Sequence, residues 1–469
     1  MGCSRRGGRR NMTDTQERPP AAPPGGMSMD SYFKLTERGT SVGTEVRAGV
    51  TTFLVMAYII FVNPGILSAT GLDPGAVAAA TALVAGLLTI IMGVVANVPL
   101  AMAAGLGINA AVAFGLVLGD GLTPEGAMGV IVLEGLIVAA LVVVGLREAI
   151  MKAVPLSLKR AIGVGIGLFI LFIGFVNGGL IGIPEGGAVP VTFIFPNSAG
   201  AWVTVIGIAI TVVLYARKVP GALIISIFAT TIVALLWDVA VFPSDFSVTP
   251  SFATLGAFDL GNVFTQLGFV AAALTIFSFM LTDFFDTMGT ATAVTEQADL
   301  VDDEGNIENI GKLLFVDSIG AAAGGAAGVS SNTSYIESSA GVAEGGRTGL
   351  TSVVVGVLFL AAIFVSPLAA VVPFQATAPV LILVGFLMAG LIKGIDFDDF
   401  EEGFPALLAI VLMPLTFSIT VGIGAGFVIH TLIKVVKNKS AEIHVLMWVV
   451  TVAFLIYFGQ AVLGAAISA

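Results

Sequence analysis

The chain has 469 residues, of which 57% are hydrophobic and 11% charged, and it carries 58 glycines and 32 phenylalanines. Soluble domains hold about 45–50% apolar and about 25% charged residues, so an ordinary globular fold is excluded and an all-α polytopic membrane protein is implied. Length alone, at about 150 residues per domain, suggests three soluble domains, whereas membrane spans form one body. The formal net charge of −11 argues against nucleic acid as a partner. Cys3 stands alone, which excludes a disulfide framework or cysteine metal site within one chain, and His430 and His444 are too few for the usual His-rich zinc centre. No metal or organic cofactor is expected.

In chain order, residues 1–48 read as a disordered cytoplasmic leader, with Arg5, Arg6, Arg9 and Arg10 ahead of the turn-forming run Pro19 to Gly26. No short apolar stretch with a cleavage site follows, which favours a positive cytoplasmic flank over a twin-arginine signal. Apolar segments then follow near 50–70, 76–98, 101–118, 126–146, 156–178, 199–216, 219–238, 265–290, 311–328, 329–343, 349–371, 378–393, 403–420, 421–436 and 444–467. They amount to about 14 transmembrane segments. The C-terminal end leaves two readings, because Pro414 and Gly422 to Gly426 divide one long segment or the last segment lies along the interface.

Basic residues set the orientation, since short loops rich in Lys and Arg stay cytoplasmic. The leader, Arg147 to Arg160, Arg217, Lys218, Lys312, Arg347, Lys393 and Lys434 to Lys439 therefore mark the inside, and loops with Asp73, Asp120, Glu125, Glu185, Asp238, Asp245 and Asp259 face outward.

Two segments break the pattern. Gly105 and Gly107 precede a short apolar run ending near Leu118, and Gly324 to Glu337 is too rich in Gly, Ser and Thr for a lipid-facing helix. Both read as extended backbone leading into a half-helix. Such backbone survives at membrane depth only where protein buries it or it lines a cavity, and a pair of interrupted segments points to a transporter site. Asn109 and Glu337 lie 228 positions apart, and the breaks at Asn63 and Asp286 lie 223 apart, so the chain repeats at about half its length. With seven spans per half, an odd number, the second half enters the membrane upside down as an inverted repeat.

Inside the span 265–290, Asp283 and Asp286 share one helical face and bracket Phe284 and Phe285. Even lenient scales charge about 2.5–3.5 kcal/mol for an Asp at a helix centre, so the pair needs a partner, a cavity or a proton. Glu337 begins the second half-helix, where free amides favour an anion or polar ligand. Asn109 stands at the matching place in the first half and offers both donors and an acceptor. Each has a plainer reading: backbone bonding in a broken helix for the aspartates, and helix capping for Glu337, Ser334 or Asn109. Asp317 reads as a packing residue between broken segments, Glu134 has no evident partner since Arg147 is about three turns away, and Glu344 with Arg347 forms a loop contact or gate. His430 reads as an interface or packing residue.

Three sequence stretches carry a family likeness. Gly105-x-Gly-x-Asn109-Ala, Asp283-Phe-Phe-Asp-Thr-x-Gly289 and Tyr335-Ile-Glu-Ser-Ser-Ala-Gly-Val-Ala-Glu-Gly-Gly-Arg-Thr-Gly-Leu350 resemble the AzgA-like branch of the nucleobase/cation symporter-2 (NCS2) family, the adenine and guanine/hypoxanthine permeases. The opening Glu45-Val-x-Ala-Gly-Val-Thr-Thr-Phe-x-x-Met-Ala-Tyr58 with Asn63-Pro-Gly-Ile-Leu67 is similar to that branch too. The likeness covers nearly everything after the leader, and Tyr335 to Leu350 is its most specific part.

The resemblance implies 14 segments in two inverted repeats of seven, with short extended strands in segments 3 and 10. It implies core-domain halves at 49–146 and 241–371 and gate-domain halves at 147–240 and 372–469, the last including the C-terminus. It places substrate on Asp283, Asp286, Glu337 and Asn109, to which the local motifs add Gly107, Ser338 and Phe284 as neighbours of the site. Ala111 and Val112 stand where relatives are expected to carry bulky aromatics, which leaves the pocket wall and the purine preference open.

The implied activity is import of purine nucleobases (adenine, guanine, hypoxanthine, with xanthine as a further candidate) by proton symport and alternating access, and not an enzymatic one. Carboxylates accept purine N–H bonds, half-helix amides donate to ring nitrogen or carbonyl, and Phe284, Phe285 or Phe61 supplies an apolar or stacking wall. Three acids in one low-dielectric site cannot all stay ionised, so a proton on Asp283, Asp286 or Glu337 is the expected coupling ion. The expected setting is the plasma (inner) membrane, multi-pass in the lipid bilayer, with a cytoplasmic N-terminus; a homodimer stays open. The alternatives are an anion carrier or channel-like protein of the same fold, against which the acidic midplane argues, and a sodium-coupled nucleobase carrier. A membrane enzyme would need a nucleophile, base and orienter cluster that these acids do not form.

Overall fold

A computed structural model describes residues 28–145, 154–183, 191–243, 248–301 and 307–467, with side chains described to residue 459. Arg147 and the first part of the leader lie outside the described residues. Ordered chain starts earlier than residue 49: α1 spans Met29–Phe33 and α2 begins at Val42. The reason is electrostatic. Arg38 donates to the Asn97 and Arg347 carbonyls, and Arg38 and Lys34 pair with Glu308 at 2.9 and 3.2 Å, pinning residues that composition alone marks as leader.

The first half runs α2 (Val42–Met56), α3 (Ile59–Leu67), α4 (Pro74–Val95), β1 (Met102–Ala104), α5 (Leu106–Ala110, continued as a π-helical stretch Ala111–Val117), α6 (Pro124–Val143), α7 (Leu156–Asn177), α8 (Ala199–Ala216) and α9 (Ala222–Leu236). A small hairpin, β2 (Ile181–Gly182) with β3 (Thr192–Phe193), joins α7 to α8. The second half runs α10 (Leu260–Leu267), α11 (Phe269–Gln297), α12 (Ile310–Ala326), β4 (Asn332–Ser334), α13 (Ser338–Ala343), α14 (Gly349–Ala362, extended by a 3-10 stretch to Val371), α15 (Phe374–Ala389), α16 (Phe400–Thr416), α17 (Ile419–Val436) and α18 (Val445–Ile467). Among the described residues nine helical stretches are long and apolar enough to cross a membrane, with shorter apolar helices at Leu106–Val117, Ala222–Leu236 and Val445–Gly459. Each apolar segment read from the sequence is met by helix or by strand plus half-helix.

Local signals explain the boundaries. Asp73 and Thr123 each accept an amide hydrogen bond at a helix start that has Pro in the first turn, and Ser198 and Ser418 cap α8 and α17. At the C-terminal end Pro414 stays inside α16, and the chain turns at Phe417 (φ 53) before α17, so two helices replace one long segment.

The inverted repeat shows in the packing. The helices α4 and α6 correspond to α12 and α14, and the two most extensive contacts among these four are α4 with α14 and α12 with α6, one contact made twice. The strands β1 and β4 pair antiparallel about Ala103↔Thr333, so the repeat axis passes between them and sets the offset there at 230. By that offset Gly107, rather than Asn109, is the counterpart of Glu337. Glycine makes these contacts possible: a Cβ at Gly349 would strike the Gly93 backbone, and one at Gly385 would strike the Gly167 carbonyl. Close backbone approach over small residues is how helices associate in lipid, where no hydrophobic drive separates helix from acyl chain.

Two packed groups result. The helices α2–α6 with α11–α14 form one, and α7–α9 with α15–α17 form the other; α18 lies against α17 and α11.

Candidate functional site

The strands β1 and β4 each hand over to a short helix, so two half-helices start from the middle of the fold. Between them and α11 lies a small, partly open cavity of about 90 Å³. Its walls are Tyr58, Gly105, Leu106, Gly107, Asp286, Thr290 and the run Ser334 to Glu337 from the first group, closed by Val384 and Met388 on α15 of the second.

Glu337 sits at the start of α13, yet its side chain does not cap that helix. Its Oε1 instead accepts the Tyr58 hydroxyl at 2.6 Å, which leaves the carboxyl turned into the cavity with one anchored oxygen. Asp286 reaches the same space from α11 and keeps accessible surface there. Tyr335 also lines it and donates to the Ala104 carbonyl at 2.5 Å, tying the second half-helix to the first strand. No lysine, arginine or histidine is among the lining residues.

Asp283 takes a different direction from Asp286. It is 1% exposed and accepts from Ser331 Oγ at 3.1 Å, behind the cavity wall rather than on it. Positions three apart share a face only within about a turn, and that turn carries Asp283 beneath the strand pair. Asp317 lies close by and accepts from Thr287 Oγ1 at 2.6 Å and from the Ser334 amide and hydroxyl at 3.0 and 2.8 Å. It fixes β4 against α11 and α12, as its place between broken segments suggested. Glu134 on α6 completes the acidic group from the third side.

Other expected site residues also stand behind the wall. Asn109 is 0% exposed within α5; its Nδ2 donates to Asn63 Oδ1 at 2.7 Å, and Asn63 in turn donates to Thr81 Oγ1 and the Val329 carbonyl. It braces α5 against α3, α4 and the approach to β4. Ser338 Oγ accepts the Ala101 amide at 2.9 Å and holds the start of β1. Gly107 does line the cavity, and a Cβ there would strike Ile166 of α7, so its bareness sets how closely the two packed groups meet.

None of the three expected stacking phenylalanines lines the cavity. Phe284 stands edge-on to Phe285 at 5.4 Å, Lys159 of α7 lies over Phe285 at 5.5 Å, and Phe61 packs edge-on against Phe228 at 5.1 Å. The aromatic surfaces present are Tyr58 and Tyr335, each inside a sequence stretch quoted above but silent in composition. Glu45 was silent as well: fully buried, it accepts from the Arg347, Thr348 and Thr351 amides at 2.9, 3.3 and 3.1 Å and so caps the start of α14. Glu344 pairs with Arg47 at 3.2 Å instead of Arg347.

The strand-crossed half-helices, with a cavity at their meeting point, agree with comparison to known proteins. The profile of the permease family, Xan_ur_permease, matches residues 43–425. The chain belongs to this family. The permease is 41% identical over 428 residues to the adenine permease AdeQ of Escherichia coli K12, covering 91% of this chain and 95% of the relative. It is 39% identical over 444 residues to the guanine/hypoxanthine permease PbuG of Bacillus subtilis, covering 92% and 99%. Among solved structures, the transmembrane domain of the cyanobacterial bicarbonate transporter BicA superposes with a TM-score of 0.62 at 17% identity, over 82% of this chain and 97% of that one. SLC26A9 superposes at 0.60 and 12% identity, over 84% and 66%. These two establish the fold alone. The permease is thus an integral multi-pass transporter, not an enzyme, of the NCS2 family.

Proposed function

We propose that this permease imports purine nucleobases across the cell membrane by proton symport, with adenine, guanine and hypoxanthine as the leading substrates. The observation that carries the reading is the cavity itself. Two carboxyls, Asp286 and Glu337, converge on a space with two tyrosine rings and no basic side chain among its lining residues. A purine edge offers N–H donors to carboxylates and acceptors to the amides after β4, and its flat face suits the tyrosines. The same lining speaks against an anion as substrate, despite the fold shared with anion carriers, because a bare anion would meet two carboxyls.

The relatives named as adenine and guanine/hypoxanthine permeases support this substrate class. In this reading the group α2–α6 with α11–α14 is the core that carries substrate, and α7–α9 with α15–α17 is the gate against which it moves. The N-terminus lies in the cytoplasm. Asp286 and Glu337 hold the base, and Asp283 belongs to the proton machinery. A panel of nucleobases in a thermal-shift assay tests the substrate: stabilisation by a purine supports the reading, and stabilisation by bicarbonate or sulfate alone would favour the anion alternative.

A further inference from the structure

The side chains that line the cavity are richer in acceptors than in donors. An ionised carboxyl only accepts, so Asp286 and Glu337 take N–H groups of a base and leave its ring nitrogens unserved. No lysine, arginine or histidine is among the lining residues, and hydroxyls are left as the side-chain donors. Four residues supply them, and three of these are committed. Tyr58 donates to Glu337, Tyr335 to the Ala104 carbonyl and Ser334 to Asp317. The fourth is Thr290, whose hydroxyl makes no hydrogen bond among the described residues.

The other hydroxyls of α11 show what Thr290 forgoes. Ser278, Thr282 and Thr295 turn back on the carbonyl four residues earlier, at 2.8, 2.9 and 2.6 Å. That bond is the usual recourse of a hydroxyl inside a helix. Thr287 finds partners in Asp317 and Thr333 instead. Thr290 is 6% exposed, lines the cavity and does neither. Water that serves its hydroxyl in the empty cavity is displaced by a bound base, which must then replace the bond or forfeit affinity.

Thr290 stands one turn after Asp286, and residues four apart on a helix are neighbours, with about 5–6 Å between Cβ atoms. The two therefore present an acceptor beside a donor along one wall. The complementary ligand carries an N–H next to a ring nitrogen. Purines have such edges: the 6-amino group of adenine beside N1 or N7, and N9–H beside N3. We propose that Thr290 is a specificity-determining residue, donating its hydroxyl to a ring nitrogen adjacent to the N–H held by Asp286. The proposal deepens the nucleobase reading and rests on it. A base with C–H in place of that nitrogen is then bound less well, a distinction that two ionised carboxyls cannot make.

The test is ligand binding by the purified full-length permease, read as thermal stabilisation over a concentration series. The ligands are adenine with its 1-, 3- and 7-deaza analogues, and hypoxanthine and guanine with their 3- and 7-deaza analogues. In the wild type one deaza analogue is expected to bind about 3- to 12-fold more weakly than its parent. Thr290→Val is expected to bind the parent weaker by the same factor and to no longer distinguish it from that analogue, whereas Thr290→Ser restores the distinction. A parent bound equally by wild type and Thr290→Val, or a loss shared alike by the parent and all its analogues, would overturn the inference and leave the nucleobase reading intact. A wild type stabilised by no purine overturns the reading, and the inference with it. Melting without ligand shows that each variant is folded; if Thr290→Val is not, Thr290→Ala takes its place under the same outcomes.

Discussion

The hydroxyl of Tyr58 and the carboxyl of Glu337, 279 positions apart in the chain, meet in a 2.6 Å hydrogen bond across the repeat axis. Tyr58 lies in the turn between α2 and α3, and Glu337 opens α13, so the bond joins the two halves at the cavity wall. It fixes one carboxyl oxygen of Glu337 at the cavity wall. Removal by Tyr58→Phe deletes a hydrogen bond to an acid, worth about 1.5–3 kcal/mol. The expected outcome is a KM for purine uptake raised about 10- to 100-fold, with kcat and expression little changed. Uptake kinetics check it, and an unaltered KM would remove Tyr58 from the site.

Asp317→Ala is expected to act on stability more than on affinity. It strips the acceptor from the buried Ser334 amide and hydroxyl and from Thr287. Leaving such donors unpaired costs about 1–3 kcal/mol each. A fall in melting temperature of the detergent-solubilised protein, milder in Asp317→Asn, is the check.

The close crossings of α4 with α14 and of α7 with α15 predict a graded response to bulk. A methyl group at Gly349 has nowhere to go, because the Gly93 backbone occupies its place. Overpacking of this kind costs about 1–3 kcal/mol. Gly349→Ala is expected to lower the melting temperature, whereas Gly289→Ala, with nothing near its Cβ position, is expected to leave it unchanged.

Glu308 anchors the residues before α2. Burial pushes its carboxyl up, but hydrogen bonds and charge from Lys34 and Arg38 together outweigh that and hold it below the usual carboxylate range. A carboxyl held low when folded adds stability above its unfolded value, about 4.3, and loses it as pH falls through the folded one. Limited proteolysis near Lys34 and Arg38 is therefore expected to be slow at neutral pH and to accelerate only in acid below about pH 4.3. Glu308→Gln should be cut readily at neutral pH.

How far the sequence alone reached follows from what each signal encodes. The interrupted segments were legible because Gly105, Gly107 and the Gly/Ser/Thr-rich run before Glu337 do not suit ordinary lipid-facing helices, and the structure turns both into strand plus half-helix, although Gly324 and Gly325 still belong to the end of α12 and the second strand starts only at Asn332. Asp283 and Asp286 were legible as expensive charges in an apolar span. Spacing gives a shared face but not what packs on it, so their separation, Asp286 to the cavity and Asp283 to Ser331, was not. Asn109 looked like a ligand because it precedes a matching half-helix, and only the fold brings Asn63 to it. Tyr58, Tyr335 and Glu45 gave no signal in composition, since their partners come from the other half of the chain. Glu134 drew attention to Arg147 nearby in sequence, while the groups that reach it come from α11 and α12.

The most direct test is accumulation of labelled adenine and hypoxanthine by the reconstituted permease under an imposed inward proton gradient, with Glu337→Gln and Asp286→Asn beside the wild type. The expected result is uphill uptake of at least one purine that collapses with a protonophore, is indifferent to sodium, and is lost in both variants although they fold. Uptake that follows sodium rather than protons, or that persists at normal rate and affinity in Glu337→Gln and Asp286→Asn, would contradict the account.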